Sequence, residues 1–268
     1  MKNEAFKDRY GPVALVTGTS SGIGWCFAEA LVKRGLDVVL IARRAKRLQK
    51  LAAKLENQHG VKAIICQTDL ADPGASRAIL ATTVGLDIGL VINNAGCGAK
   101  GGHAETDAAW LADILTVNSM APMLLTNGFI PRLRARGKGG IILISSVEGL
   151  IGVPYSAAYG ASKAFVISLG EALWGELTPE NIDVLTVCPG PTDTEAAQKQ
   201  GVDPASMVGM LPPEAVVEFA LGNLNNGPTL VSHEMYRDMF AHLTSLPRRD
   251  ALMQMADLIK NSIQKHPP

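Results

Sequence analysis

The chain has 268 residues, of which 47% are hydrophobic and 19% charged, with 25 basic and 25 acidic side chains. A chain of this length and composition can bury a large core without disulfides, and it is not typical of a disordered protein. The balanced charge argues against an extended basic face for nucleic acid. The four cysteines lie far apart and form no C-x-x-C pair or Cys/His cluster, so we expect free thiols and no metal site.

The start of the chain is polar and mixed in charge, which predicts that no secretory signal is present. The longest apolar runs, such as Val38–Ala42 and Ile141–Ile144, suit buried strands and are too short to span a bilayer. We therefore expect a cytoplasmic protein without a membrane span.

Seven short runs of β-branched and aliphatic residues alternate with longer stretches of helical character. The short runs contain few polar positions, which is typical of a sheet covered on both faces. In chain order the predicted strands are Val13–Thr17, Asp37–Ala42, Lys62–Gln67, Ile88–Asn93, Gly140–Ser145, Asp183–Cys188 and Thr229–Val231.

In the same order the predicted helices are Ile23–Arg34, Ala45–Gln58, Ala75–Val84, Thr106–Arg136, Tyr155–Leu177 and Pro213–Leu224. Strict alternation of strand and helix implies an α/β fold with a doubly wound parallel sheet of the Rossmann type and helices on both faces. Because no linker or repeat divides the chain, we expect residues 1–268 to form a single dinucleotide-binding catalytic domain.

Two segments depart from the alternation. Residues 189–213 are rich in Pro and Gly and predict a long loop, of the kind that often forms a lid. Residues 233–268 form a tail with an amphipathic stretch, Arg249–Gln264, whose few basic residues favour packing on its own domain or a second subunit over a membrane surface.

A glycine-rich loop joins the first strand to the first predicted helix. Gly18 permits a tight turn, Gly22 lets the backbone approach a pyrophosphate, and Gly24 lets the helix pack close to the sheet. The loop also contains Ser20, Ser21 and Ile23, and the helix start after it offers unpaired N–H groups to a phosphate. The alternative is an ordinary strand-to-helix turn.

Further motifs follow in order. Asn93–Gly96 comes directly after the fourth strand, Ser146 after the fifth, Tyr159 and Lys163 form a Y-x-x-x-K pair, and Pro189–Gly190 follows the sixth strand. With the T-G-x-x-x-G-I-G pattern that begins at Thr17, this ordered set resembles the short-chain dehydrogenase/reductase family. The resemblance extends from residue 13 to about residue 194.

The residues of the candidate catalytic group also suggest a chemistry by themselves. Tyr159 and Lys163 lie on one helical face. A free phenol needs roughly 4 kcal/mol to ionise at neutral pH, which a cation about 4 Å away supplies at an effective dielectric near 20. Ser146 ends the fifth strand, where its hydroxyl could stabilise charge on a substrate oxygen. It stands 13 residues before Tyr159, and the resemblance implies this spacing, which favours Ser146 over Ser145. Taken alone, Tyr-x-x-x-Lys is common by chance and is more often the exposed side of a helix.

Asn118 lies within the long predicted helix, in an apolar neighbourhood where asparagine is unfavourable. The resemblance implies that the matching asparagine interrupts the helix and holds a water that relays protons to the lysine. A purely structural asparagine bonded to buried backbone is the alternative.

The end of the second strand indicates which dinucleotide binds. Ala42 occupies the position where an acidic residue would bind the ribose of NAD, and Arg43 and Arg44 follow it. Guanidinium groups suit a 2′-phosphate because they form bidentate, charge-assisted bonds. The sequence therefore predicts NADP(H), with an exposed basic helix start as the alternative.

The resemblance implies the other cofactor contacts. Asp69, with Leu70, matches the residues at the adenine, and Asn93, Ala95 and Gly96 would line the adenine ribose, while Asn94 would be structural. Pro189 and Gly190 lead to Thr194, which matches the residue that binds the carboxamide. Where the family usually has Ile or Val this chain has Thr192, so either threonine could make that contact.

We thus expect an NADP(H)-dependent oxidoreductase that interconverts a carbonyl and a secondary alcohol, with Tyr159 as general acid and base. The apolar residues that follow Ser146 predict an apolar substrate. The resemblance implies a homodimer or homotetramer formed through the helices that contain Asn118 and Tyr159. A catalytically silent nucleotide sensor or scaffold on the same fold is the alternative function.

Overall fold

The computed structural model describes residues 3–196 and 207–265, with the side chains of the last helix described as far as residue 259. Its seven strands are β1 Val13–Thr17, β2 Asp37–Ala42, β3 Ala63–Gln67, β4 Ile88–Asn93, β5 Gly139–Ile144, β6 Ile182–Cys188 and β7 Thr229–Val231. Its α-helices are α1 Asn3–Tyr10, α2 Gly22–Lys33, α3 Ala45–His59, α4 Ala75–Thr82, α5 Ala108–Leu115, α6 Ala121–Arg136, α7 Ala157–Leu177, α8 Pro213–Gly222, α9 Glu234–Ser245 and α10 Arg248–Lys265.

The strands form one parallel sheet in the order β3-β2-β1-β4-β5-β6-β7. The direction in which the chain adds strands reverses between β1 and β4. This is the doubly wound arrangement that the strand and helix alternation predicted, and the reversal opens a crevice at the carboxyl ends of the two strands.

Apolar helix faces cover the sheet on both sides. On one side α2, α3 and α8 pack through residues such as Phe27, Leu51 and Val216. On the other, α4 and α6 contribute Ile79 and Phe129 to a second cluster, and α7 adds to a third. The near-continuous burial of the central strands explains why their sequence is so uniformly apolar.

The predicted helix Thr106–Arg136 is not a regular helix. It begins as α5 at Ala108, where the Asp107 carboxylate accepts a hydrogen bond from the backbone N–H of Trp110 at 3.0 Å. A π-helical turn at Thr116–Met120 then separates α5 from α6. Among the described residues, the stretch 108–136 is the one helix long and apolar enough to cross a membrane. A single helix of this kind does not by itself indicate a membrane span; 33% of its apolar window is buried, and its second part, α6, packs against β4 and β5.

Helix α1 was not predicted. Its polar sequence has a weak apolar face, but Phe6 and Tyr10 are both buried. The Tyr10 hydroxyl donates a hydrogen bond of 2.6 Å to the Asp183 carboxylate on β6, and Arg9 forms an ion pair with the same carboxylate. These two bonds attach α1 to the sheet.

The tail forms two helices instead of the single predicted stretch. Phe240 and Leu243 of α9 and Ala251 and Met255 of α10 pack with the residues after β5 and with Cys188 of β6. The tail therefore packs on the same chain, which was one of the two arrangements expected.

The two ends of the predicted lid 189–213 are paired with each other. Thr192 and Leu211 form a parallel bridge, and the backbone N–H of Asp193 donates to the Leu211 carbonyl at 2.9 Å. Residues 197–206 of the predicted lid lie outside the described part of the chain.

Candidate active site

The predicted site residues gather at the carboxyl edge of the sheet. The glycine loop follows β1, Asn93–Gly96 lies at the end of β4, and Ser146 comes just after β5. Since β1, β4 and β5 are neighbours in the sheet, residues far apart in the sequence reach one crevice. Open α/β sheets bind ligands at this place.

The glycine loop is a cradle that side chains would fill. Gly18 and Gly22 have φ values of +77° and +55°. A Cβ on Gly24 would lie 2.4 Å from the Gly18 carbonyl oxygen, and one on Gly22 would lie 2.9 Å from Cγ2 of Thr194. The loop leads straight into the N-terminus of α2, while Ile23 packs on the core. The geometry fits a pyrophosphate held against backbone N–H groups.

The two predicted arginines behave differently. Arg44 is bound into the glycine loop, since its guanidinium donates to the hydroxyls of Ser20 and Ser21 at 2.7–3.0 Å and to Glu195 at 2.9 Å. Arg43 is more exposed and lies 3.3 Å from the carboxylate of Asp69. The structure therefore brings both arginines and Asp69 to one side of the crevice.

The turn after β4 contains both structural and unpaired amide groups. Asn94 donates from its side chain to the Thr17 carbonyl at 2.9 Å, and the Thr17 hydroxyl accepts the N–H groups of Asn94 and Ala95. Among the described residues, the buried side-chain amide of Asn93 has no hydrogen-bond partner. An unsatisfied buried amide is costly, so Asn93 is suited to meet a polar ligand. Leu70 directs its side chain into the core.

The predicted catalytic residues lie together. Ser146 lies close enough to Tyr159 for its side chain to favour the ionised phenol and so to lower the pKa of Tyr159. The ammonium of Lys163 is 5.7 Å from the centroid of the Tyr159 ring and donates to the Ile144 carbonyl at 2.9 Å. Only 4% of Lys163 is exposed. A hydroxyl, a phenol and a buried amine thus face one another, while Ser145 is turned away and donates to the Lys163 carbonyl.

The electrostatics of Tyr159 differ from the expectation. Burial raises the pKa of Tyr159, and the Glu148 carboxylate raises it further. The Ser146 side chain lowers the pKa but does not offset these two effects. Burial also lowers the pKa of Lys163 to about 8. The expectation that Lys163 holds the pKa of the phenol below 10 is therefore wrong for the protein on its own. At neutral pH Tyr159 carries its proton, which is the form that can protonate a carbonyl oxygen.

Asn118 lies in the π-helical turn and is buried. Its side chain accepts from the backbone N–H of Cys97 at 2.9 Å and donates to the Cys97 carbonyl at 2.8 Å and to the Ser162 hydroxyl at 2.9 Å. A Cβ on Gly96 would meet both Asn118 Oδ1 and Lys163 Nζ at 3.3 Å. Asn118 therefore ties the turn after β4 to the helix that carries Tyr159 and Lys163.

The segment after β6 also reaches the crevice. The Thr194 methyl group contacts the glycine loop near Gly22, and the Thr194 hydroxyl accepts from the N–H of Ala196 at 3.2 Å. The Thr192 hydroxyl donates to the Gly190 carbonyl at 3.0 Å. Of the two threonines, Thr194 is the one shown to contact the glycine loop.

Sequence reasoning missed a charged cluster beside Tyr159. The ammonium of Lys100 lies 2.6 Å from each carboxylate oxygen of Glu148, 3.0 Å from the Ser156 hydroxyl and 5.8 Å from the centroid of the Tyr159 ring. The sequence predicts a mostly apolar wall here, with Glu148 as a charged residue in it. Because Lys100 and Glu148 are 48 positions apart, no local pattern could reveal the pair. Among the described residues, no group of three or more His, Cys, Asp or Glu side chains could hold a metal.

Fold and site together define a dinucleotide-dependent oxidoreductase, and comparison with known proteins agrees. The family model described as short chain dehydrogenase matches residues 12–204. The chain belongs to the short-chain dehydrogenase/reductase family.

Individual relatives match most of the chain. It is 28% identical to a 7beta-hydroxysteroid dehydrogenase of Clostridium sardiniense over 94% of this chain and 97% of the relative. A solved 7beta-hydroxysteroid dehydrogenase superimposes with a TM-score of 0.86 at 25% identity, covering 93% of this chain and 98% of that one. A short-chain dehydrogenase from Sphingobium yanoikuyae in complex with NADPH gives a TM-score of 0.81 at 33% identity, with coverages of 91% and 96%.

Proposed function

We propose that this protein is an NADP(H)-dependent oxidoreductase that interconverts a ketone and a secondary alcohol, with Tyr159 as its general acid and base. The observation that carries the proposal is the convergence of Ser146, Tyr159 and Lys163 at one edge of the sheet, next to a glycine cradle. A nucleotide sensor or scaffold would not need a phenol and a buried amine in this arrangement.

In the proposed reaction each side chain has a separate task. The Ser146 hydroxyl donates to the substrate oxygen and stabilises the charge that develops there. The Tyr159 phenol gives its proton to that oxygen during reduction and takes it back during oxidation. Lys163 holds positive charge near the phenol, and Asn118 fixes the turn that surrounds it. NADP(H) supplies or accepts the hydride.

The cofactor is held by residues on the other side of the crevice. The backbone of Gly18–Gly24 would bind the pyrophosphate, and Arg43 and Arg44 would bind the 2′-phosphate. Asp69 and Asn93 would contact the adenosine, and the segment Pro189–Thr194 would lie at the nicotinamide. The unpaired amide of Asn93 and the cradle without side chains fit a bound dinucleotide.

A bulky, largely apolar ketone or secondary alcohol is the proposed substrate. Leu150, Ile151, Val153 and Pro154 follow Ser146 in the sequence, and the last three line a groove along α7, the helix that carries Tyr159. Two of the relatives described above are 7beta-hydroxysteroid dehydrogenases, so a steroid is the first substrate class to test. The Lys100–Glu148 pair adds a polar group to this apolar wall.

A second copy of the chain is the proposed partner. Leu115, Met120 and Leu124 are 40–50% exposed on the α5–α6 helix, and Phe165 is 40% exposed on α7. Because the π turn contains an extra residue, Leu115, Met120 and Leu124 lie on the same side of this helix. We propose that this surface forms a homodimer or homotetramer in the cytoplasm. Replacing Met120 by Glu should then yield a smaller particle in light scattering.

The test of the function is the loss of NADPH absorbance with a panel of ketones, from hydroxysteroid oxidation products to small polar sugars. We expect turnover of the bulky apolar ketones, and a loss of at least a hundredfold in Tyr159→Phe with unchanged NADPH binding. Full activity of Tyr159→Phe would refute the role of the phenol. NADPH binding without turnover of any carbonyl would favour the sensor.

A further inference from the structure

His233 lies where β7 leads into α9, and its ring packs against the turn that follows β6. The side chain is 2% exposed. The backbone N–H of Gly190 points to Nδ1 at 3.1 Å, and Nε2 lies 2.7 Å from the Pro191 carbonyl oxygen. A Cβ on Gly190 would meet the His233 ring at 3.1 Å, so the ring lies directly on the turn.

The chemistry of these partners determines the state of the ring. A backbone N–H can only donate, so Nδ1 must offer its lone pair to Gly190. A carbonyl oxygen can only accept, so Nε2 must be protonated and donate a hydrogen bond to the Pro191 carbonyl. Both bonds exist together only in the neutral ring, because a protonated imidazole would direct an N–H at the Gly190 N–H.

We propose that His233 is a positioning residue that fixes the Pro189–Pro191 turn in the shape needed at the nicotinamide end of the cofactor, and that it does so only as a neutral ring. The proposal rests on the proposed function, in which the segment that continues to Thr194 contacts the cofactor. Neither the family motifs nor the sequence pattern assigned a task to this histidine.

The surroundings of His233 keep it neutral. Ser232 places its hydroxyl 2.9 Å from Nδ1, and the Tyr236 ring on α9 meets the imidazole edge-on at 6.0 Å between centroids. Among the described residues, no carboxylate or cationic side chain is hydrogen-bonded to the ring, and the nearest groups from the turn are the backbone of Gly190 and Pro191. Burial lowers the pKa of His233 below its ordinary value of 6.5, and it outweighs the hydrogen bond to the Pro191 carbonyl, which favours the charged ring.

Three variants of the full chain test the proposal. His233→Leu removes both bonds, whereas His233→Gln offers an amide oxygen to Gly190 and an amide N–H to Pro191. His242→Gln is the matched control, since His242 is exposed on the same helix. We expect His233→Leu to bind NADPH about tenfold more weakly, His233→Gln to recover most of that loss, and the control to equal the wild type in a fluorescence titration.

A pH series provides the second measurement. The 2′-phosphate of NADPH itself titrates near pH 6, by analogy with other phosphate monoesters, so the readout is the difference between the wild type and His233→Gln. As the pH falls below 6.5, the wild type should lose affinity more steeply than His233→Gln. Parallel curves would overturn the requirement for a neutral ring. If His233→Leu does not fold, this comparison of the wild type with His233→Gln still decides whether the ring must be neutral.

Amide hydrogen exchange without cofactor separates this proposal from the proposed function. Exchange of the Gly190 N–H should rise in His233→Leu, with little change in β1 or β4. Unchanged exchange together with unchanged NADPH affinity would refute the positioning role. If exchange of the Gly190 N–H is faster in His233→Leu but the wild type turns over no carbonyl, the positioning role of His233 stands and the proposed reaction is refuted.

Discussion

Replacing Lys100 by Met should change the pH dependence of the reaction more than its binding of cofactor. Lys100 neutralises Glu148 next to Tyr159, and the two side chains are only 27% and 23% exposed. Met retains the apolar part of the side chain and removes the charge. The variant therefore leaves a carboxylate without its cation close to Tyr159, the proposed general acid and base.

The geometry gives the size of the effect. The charge that the substitution removes, Lys100 Nζ, lies 5.8 Å from the Tyr159 ring centroid. At an effective dielectric near 20, a unit charge at this distance is worth about 3 kcal/mol, or about 2 pH units. Partial exposure of the pair reduces the expected shift to about one unit.

The assay is kcat/KM for alcohol oxidation with NADP⁺ as a function of pH. Oxidation needs the ionised phenol, so the profile of Lys100→Met should move to higher pH by about one unit and the rate on its rising limb should fall about tenfold. Glu148→Gln should move the profile the other way, and the double variant should lie near the wild type.

The exposed pair Arg134–Glu180 provides a control, because Arg134→Met removes an ion pair that lies far from the site. Its profile should equal that of the wild type. The reasoning would be refuted if Lys100→Met followed the wild-type profile, or if the double variant shifted as far as Lys100→Met.

Three further predictions concern the cofactor and the fold. Gly24→Ala should weaken NADPH binding more than tenfold in a fluorescence titration, since its Cβ would clash with backbone; Gly175→Ala, with open space around it, should bind normally. Arg44→Ala should raise the Kd for NADPH about tenfold and leave that for NADH nearly unchanged; equal losses would contradict a contact with the 2′-phosphate. Tyr10→Phe should lower the free energy of unfolding in urea by about 1–2 kcal/mol by removing the bond to Asp183; an unchanged midpoint would contradict this.

Much of the fold was predictable because its signals are local. The apolar strands, the alternation with helices and the glycine loop are each contained in a few consecutive residues. Helix α1 was missed because its stability comes from Phe6 and Tyr10 packing on distant strands and not from its own polar sequence. The helical hydrophobic pattern continues through the π turn and did not predict it, whereas the family resemblance implied an interruption of the helix at Asn118.

The site was predictable where residues form an ordered motif and unpredictable where they meet only in space. Ser146, Tyr159 and Lys163 could be found from spacing and strand ends. Lys100 and His233 could not, because their partners are 48 and 43 positions away. Even for Tyr159, the sequence suggested the correct neighbours but the wrong direction of the pKa, since burial depends on the whole fold.

The π turn at Thr116–Met120 determines both the position of Asn118 at the site and the alignment of the exposed apolar residues on the same helix. Shortening the turn by one residue would rotate α5 relative to α6 by about 100°. Asn118 would then leave the backbone of Cys97, and Leu115 would no longer align with Leu124. A single deletion there should thus impair both the proposed proton exchange and the proposed subunit association, so attempts to redesign either property in this helix should preserve its register.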